Sequence, residues 1–178
     1  MKKENRIRLF GSIKVLCTSA ILTSMAVAIA YICKIVFPEG SIRITFENLP
    51  IIFAGFMFGP WVGLAVGLCT DLISSIAFYG LGRINPLITA GAGLVGLMSG
   101  LMSVLRIKSS FTRLLLSVFT AHIMGNMIVK SIGLMLWYHM PVIQVLPRIP
   151  LYTVIAVIEF CLLSYIVKSN AIRRMISK

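Results

Sequence analysis

From Val15 to Cys33 the chain runs nineteen residues without a charge. At about 1.5 Å of rise per helical residue, that run nearly crosses the roughly 30 Å hydrocarbon core of a bilayer. Few folds are open to such a segment, because inside lipid every backbone N–H and C=O must be paired within a helix or a closed barrel. The pattern recurs along the chain. Twenty-two uncharged residues lie between Arg83 and Arg106, with Pro86 placed to suit the first turn of a helix. From Leu114 to Trp137 only Lys130 interrupts, and from Ile149 to Val167 only Glu159. The 35 residues from Asn48 to Gly82 contain a single charge, Asp71. One helix of that length would exceed about 50 Å, and Gly59-Pro60 is the natural break. These runs predict an all-α integral membrane protein, a single transmembrane domain over residues 1–178. Its six transmembrane helices fall roughly at 13–36, 49–58, 60–79, 86–105, 114–137 and 148–168, the second of them short. With 58% hydrophobic and 12% charged residues, the chain has too little polar surface for a soluble domain, a secreted disulfide scaffold or a disordered tail.

Formal net charge is +12. A balance this basic would otherwise raise nucleic acid as a partner, but its placement is a topology signal. Lys2, Lys3, Arg6, Arg8 and Lys14 precede the first helix, Arg106, Lys108 and Arg113 follow the fourth, and Lys168, Arg173, Arg174 and Lys178 close the chain. All fall on one side if both termini are cytoplasmic. No nucleic-acid partner is needed to explain them. Ala28-Ile29-Ala30 has the small-x-small form of a signal cleavage site, but the apolar run before it exceeds the ~7–15 residues of a signal core.

Five basic residues break the inside bias: Lys34, Arg43, Arg83, Lys130 and Arg148, each in the outer half. For Lys34, at a helix end, snorkelling to headgroups suffices. Arg83, Lys130 and Arg148 read instead as pocket residues, since a cation within a span faces a cavity or a partner. At about 100° per residue, His122, Asn126, Lys130, Gly133 and Trp137 share an arc of about 80° on the fifth helix. Arg148, Tyr152 and Glu159 share one on the sixth, and Asp71, Ser75 and Phe78 share one on the third. Such stripes avoid lipid and are expected to face each other across the bundle, around an outward, partly aromatic, net-positive cavity suited to a planar anion.

Several chemistries find no support. There is no GxxxxGK[ST] for nucleotide phosphates, no HExxH and no GxSxG. Cys17, Cys33, Cys69 and Cys161 stand singly as packing residues, so neither a metal nor a cofactor is expected. Gly59, Gly63 and Gly67 on the third helix, and Ala92, Gly96 and Gly100 on the fourth, are rows for close packing within the bundle. Ala20, Ser24 and Ala28 form a similar row on the first helix, suited to internal packing or to a separate membrane protein.

Glu47-Asn48-Leu49-Pro50-Ile51-Ile52-Phe53-Ala54-Gly55, then Phe58-Gly59-Pro60, Gly63-x-x-x-Gly67 and Asp71-Leu72 resemble the second and third helices of S components. These are the substrate-binding membrane subunits of energy-coupling factor (ECF) vitamin transporters. The basic N-terminal tail, the six helices and the long first outer loop are similar too, so the likeness spans the chain. Gly82-Arg83-Ile84-Asn85-Pro86, Pro147-Arg148-Ile149-Pro150 and Glu159 most resemble the folate-specific members. The resemblance implies an ECF S-component bundle in a prokaryotic plasma membrane, not an enzyme. It implies capture of folate at the outer face, and partnership with a transmembrane coupling subunit and two cytosolic ATPases. The family's AxxxA docking motif would correspond to Ala20 and Ser24, extended by Ala28, with serine in place of the second alanine.

Folate carries a flat pterin, an aromatic linker and two carboxylates. Arg43, Arg83, Lys130 and Arg148 are candidates to neutralise the carboxylates. Trp137, Tyr152, Tyr79 or Phe46 could stack on the rings, and Asn85, Asn126 or Glu159 could pair with the amino-pyrimidine edge, with His122 on the same face. Three alternatives stay open at this level: an S component for biotin, pantothenate or riboflavin, an intramembrane enzyme on lipid headgroups using Asp71, His122 and Glu159, and an ion-coupled carrier working alone.

Overall fold

A computed structural model describes residues 12–36, 45–80, 84–105, 107 and 109–168. Six principal helices make up the bundle: α1 (Ile13–Val36), α2 (Asn48–Phe58), α3 (Pro60–Tyr79), α4 (Pro86–Val104), α5 (Ser110–Tyr138) and α6 (Arg148–Lys168). The all-helical membrane fold holds, with one refinement. Among the described residues, five helices have the length and apolarity to cross a membrane. The eleven residues of α2 reach only about 16 Å, half a hydrocarbon core.

The break between α2 and α3 falls at Gly59, whose φ of 99° suits glycine alone. Its N–H closes α2 onto Gly55 O at 2.9 Å, and Pro60 opens α3. Because α2 stops halfway and turns back, it sits inside the bundle, with Ile51, Ile52 and Ala54 wholly buried. The glycine rows then bring α2, α3 and α4 into backbone contact. A Cβ at Gly96 would strike Gly63 O, one at Gly67 would strike Ala92 O, and one at Gly55 would strike Gly96 O. This is close packing of small residues within the bundle, where van der Waals contact rather than a hydrophobic gradient joins the helices.

Asn85 caps α4. Its Oδ1 accepts from Leu87 N at 3.0 Å and Ile88 N at 3.4 Å, and its Nδ2 donates to Gly133 O on α5 at 3.2 Å. Also expected among the ligand contacts, it holds the ends of α4 and α5 together.

Two features were not foreseen. A one-turn helix, Val142–Val145, precedes α6. Within α5, His122–Val129 is wound as a π-helix, and the N–H of Lys130 donates to Gly125 O, five residues back. Gly91 of α4 makes room for the segment, since a Cβ there would lie 2.6 Å from Lys130 Cγ and 3.0 Å from Gly125 O. Wide turns of this kind re-aim side chains and favour functional sites.

At the outer end, Tyr31 of α1 stacks on Phe78 of α3 at 5.6 Å, and Lys34 Nζ lies 4.1 Å from the centroid of Tyr79. Lys34 and Tyr79 thus clamp α1 to α3 by a cation–π contact. Tyr79 is thereby engaged by α1 rather than by the stripes of α5 and α6.

Candidate functional site

The polar stripes of α5 and α6 converge. His122 and Glu159 are both fully buried, and Nε2 meets Oε2 at 2.8 Å. Asn126, one turn further along α5 and also fully buried, places Nδ2 3.1 Å from His122 Nδ1. Above the pair lies Tyr152, its ring centroid 6.2 Å from that of His122. Arg148 follows one turn nearer the outer end, with its guanidinium 3.2 Å from the Tyr152 hydroxyl and 5.3 Å from the ring centroid. The order from the middle of the bundle outward is therefore carboxylate and imidazole, carboxamide, aromatic ring, guanidinium.

Lys130 completes the α5 side. Although it bears a charge within a span, it is only 5% exposed, because its Nζ reaches Glu47 at 3.5 Å. Glu47 and Lys130 also lie within electrostatic reach of Glu159. Glu47 is a residue the sequence reading did not place in the site, and its signal was modest. Among only five acidic residues in the chain, it stands immediately before the short central helix. Fold topology aims the start of α2 at α5, so residues 83 positions apart form an ion pair. Asn48 follows it, fully buried, with neither amide atom hydrogen-bonded among the described residues.

Open atoms set what this cluster can do. Oε1 of Glu159 and Oδ1 of Asn126 are buried and have no hydrogen-bond partner among the described residues. Buried polar groups left unpaired are costly, and these two acceptors belong to the groups that flank His122 on its two ring nitrogens.

Other expected members lie elsewhere. Arg43 and Arg83 are outside the described residues. Trp137 is 52% exposed. Gly133 already packs on Leu87 and Ile88 in the first turn of α4, so Trp137, a turn later, has passed the end of the opposing helix. The α3 stripe is divided: Asp71 accepts from Thr89 Oγ1 on α4 at 2.7 Å, while Phe78 faces α1. Asp71 is thus held by α4, away from the His122–Glu159 pair. Among the described residues Lys130 and Arg148 stand with Glu47 and Glu159, while Arg43 and Arg83, the other cations expected at the cavity, lie outside them.

On α1, Ala20, Ser24 and Ala28 all face outward. Ser24 turns its hydroxyl back to Ala20 O at 3.0 Å, which leaves the row nearly as flat as three alanines.

The family profile described as ECF transporter, substrate-specific component, matches residues 16–171. No curated protein matches the sequence. Among solved structures the chain is similar to one described as FolT bound with folic acid, with a TM-score of 0.71 at 18% identity, over 87% of this chain and 93% of that one. Such a component is a multi-pass transporter subunit, not an enzyme, and implies a vitamin substrate and an energising module of coupling subunit and ATPases. A match over most of its length, on a six-helix fold of the same kind, establishes that this chain belongs to the substrate-specific components of ECF transporters.

Proposed function

We infer that the vitamin captured by this subunit is folate. The observation that carries the reading is the layered site: open acceptors at depth on Glu159 and Asn126, the Tyr152 ring above them, and Arg148 toward the mouth. A 2-amino-4-oxo-pterin offers N–H donors along one edge of a flat ring. At the other end of folate, beyond the aromatic linker, two carboxylates match a guanidinium in charge and geometry. Arg43, Arg83 and Lys130 are the further cations assigned to those carboxylates. Likeness in fold to a FolT that binds folic acid supports the same reading.

Mass spectrometry of the small molecule that accompanies the purified protein tests it. Folate is the expected finding, and biotin, pantothenate or riboflavin in its place would refute the assignment. Calorimetry should show Arg148→Ala weakening folate binding by about tenfold or more, the loss of a hydrogen bond between charged groups.

The row Ala20, Ser24 and Ala28 is assigned to docking on the coupling subunit. Ser24→Leu would place a branched side chain on a face that admits a helix backbone only because it is flat. Folate binding by the isolated subunit should stay within about twofold, because α1 contributes nothing to the polar cluster, while co-purification with the energising module and ATP-driven uptake fall by at least about tenfold. Undiminished uptake would move the docking face elsewhere.

A further inference from the structure

Helix lengths set the level of the outer membrane boundary. Helix α4 has 19 residues and α6 has 21. At about 29 and 32 Å of rise, each fills the hydrocarbon core from Pro86 or Arg148 inward. Gly133 of α5 packs on Leu87 and Ile88 and so marks the same level. Helix α5 continues to Tyr138, about 7–8 Å further out. It ends at His139, which takes a left-handed conformation with φ 51°, and Pro141 then leads into the one-turn helix Val142–Val145. A connection standing above the hydrocarbon would ordinarily be polar. This one is not. Between Lys130 and Arg148 there is no Asp, Glu, Lys or Arg, whereas the inner connection between α4 and α5 holds Arg106 and Lys108. Leu136, Trp137, Val142, Ile143 and Leu146 are all more than half exposed, Ile143 at 73%. Of the short helix only Val145 turns inward.

We propose that the connection between α5 and α6 is an interfacial anchor, resting in the headgroup–acyl boundary of the outer leaflet. Continuity names lipid as the occupant. Ile132 and Ile149, on either side of the connection, are exposed on the two spans, so the lipid-facing surface of the bundle runs on over residues 134–147. That stretch offers no carboxylate, ammonium or guanidinium to select a charged partner. Trp137 and Tyr138 combine an apolar ring with one polar N–H or O–H, which favours this depth. An apolar face of this kind settles about 5–10 Å into the boundary, where water still reaches the backbone of a non-helical turn. Trp137, which stands apart from the polar cluster, thereby has a place of its own. Ile149 N donates to Leu146 O at 3.2 Å and Leu151 N to Pro147 O at 3.5 Å, so the connection passes directly into α6. The anchor thus holds Arg148 at a set height relative to the bilayer, whichever vitamin is bound.

The chain has two tryptophans, so Trp61→Phe leaves Trp137 as the only one. Adding Trp137→Phe and Ile143→Trp moves it to the short helix. Both full-length proteins, in phosphatidylcholine nanodiscs, are exposed to aqueous iodide and compared in lipid brominated on the upper acyl carbons or near the terminal methyl. Shallow bromine should quench each tryptophan at least about twofold more than deep bromine, and iodide should quench only weakly. Ile158→Trp in the tryptophan-free background, midway along α6 and exposed, should show the reverse order of bromine quenching and sets the depth scale. Strong iodide quenching at position 143 without bromine quenching would place the connection in water and overturn the proposal. Quenching by neither would mean that protein covers it, and stronger quenching by deep bromine would place it within the core; either result overturns the proposal as well. Should the tryptophan-free background not accumulate, a benzophenone amino acid at position 143 of the otherwise native chain decides. Phospholipid adducts found by mass spectrometry support the anchor, and cross-links within the chain or to a second copy overturn it.

Discussion

Replacing Glu159 by alanine is expected to weaken vitamin binding by at least about a hundredfold while the protein still folds. The carboxylate is fully buried and holds His122 Nε2 at 2.8 Å. On the folate reading its removal takes away an acceptor for the ligand, and it leaves the buried imidazole donor without its partner. Each of those losses is worth about 1–3 kcal/mol, so together they amount to roughly 3 kcal/mol or more, beyond two decades of affinity. His122, once untethered, no longer fixes Asn126, and the second open acceptor loses its orientation as well. Glu159→Gln, which keeps the volume and one carbonyl, should retain more affinity than the alanine variant. Calorimetry, with monodispersity on size exclusion as the check of folding, measures both. Binding within about threefold of wild type in Glu159→Ala would place the ligand elsewhere.

The second large effect concerns the fold. Gly96→Val should prevent accumulation of folded protein. A Cβ at Gly96 would meet the carbonyl and Cα of Gly63, and those atoms belong to a helix backbone that cannot rotate away. Overpacking a core costs about 1–3 kcal/mol where side chains can shift. Here α3 and α4 must separate, and α2, which packs on the same stretch through Gly55, is displaced with them. The consequence reaches the site, because the start of α2 carries Glu47 to Lys130. Ala90→Leu, on the exposed side of the same helix, is the control and should fold and bind normally. Yield of monodisperse protein and thermal unfolding in detergent are the readouts. A Gly96→Val protein with unchanged thermal stability would refute the close contact between the helices.

Both variants bear on how the site is built. Rigid backbone contact among α2, α3 and α4 leaves few ways to place Glu47, while the π segment of α5 sets the turn on which His122, Asn126 and Lys130 stand. The outer mouth is tied by Asn85, whose amide spans the start of α4 and Gly133. A site held this firmly is suited to tight capture, since little side-chain order has to be created when the ligand arrives.

By itself the sequence determined where the chain crosses the membrane, where it breaks and which helices meet at glycine. Those constraints run along one dimension. A bilayer has a set thickness, a proline ends a helix wherever it stands, and a row of small residues is flat in any context. His122, Asn126, Lys130, Arg148, Tyr152 and Glu159 were legible as inward stripes for the same reason, as polarity within a span has to turn from lipid. Only the tertiary structure decided which of the polar residues meet. Glu47 joins Lys130 across 83 positions because α2 stops halfway and points its start at α5. Trp137 is left outside because α4 ends before reaching it, Asp71 is taken by Thr89, and Asn85 is occupied as a cap. A helical wheel assumes uniform winding and says nothing of where a neighbouring helix begins, so π winding, helix lengths and long-range pairing lay beyond what periodicity can express.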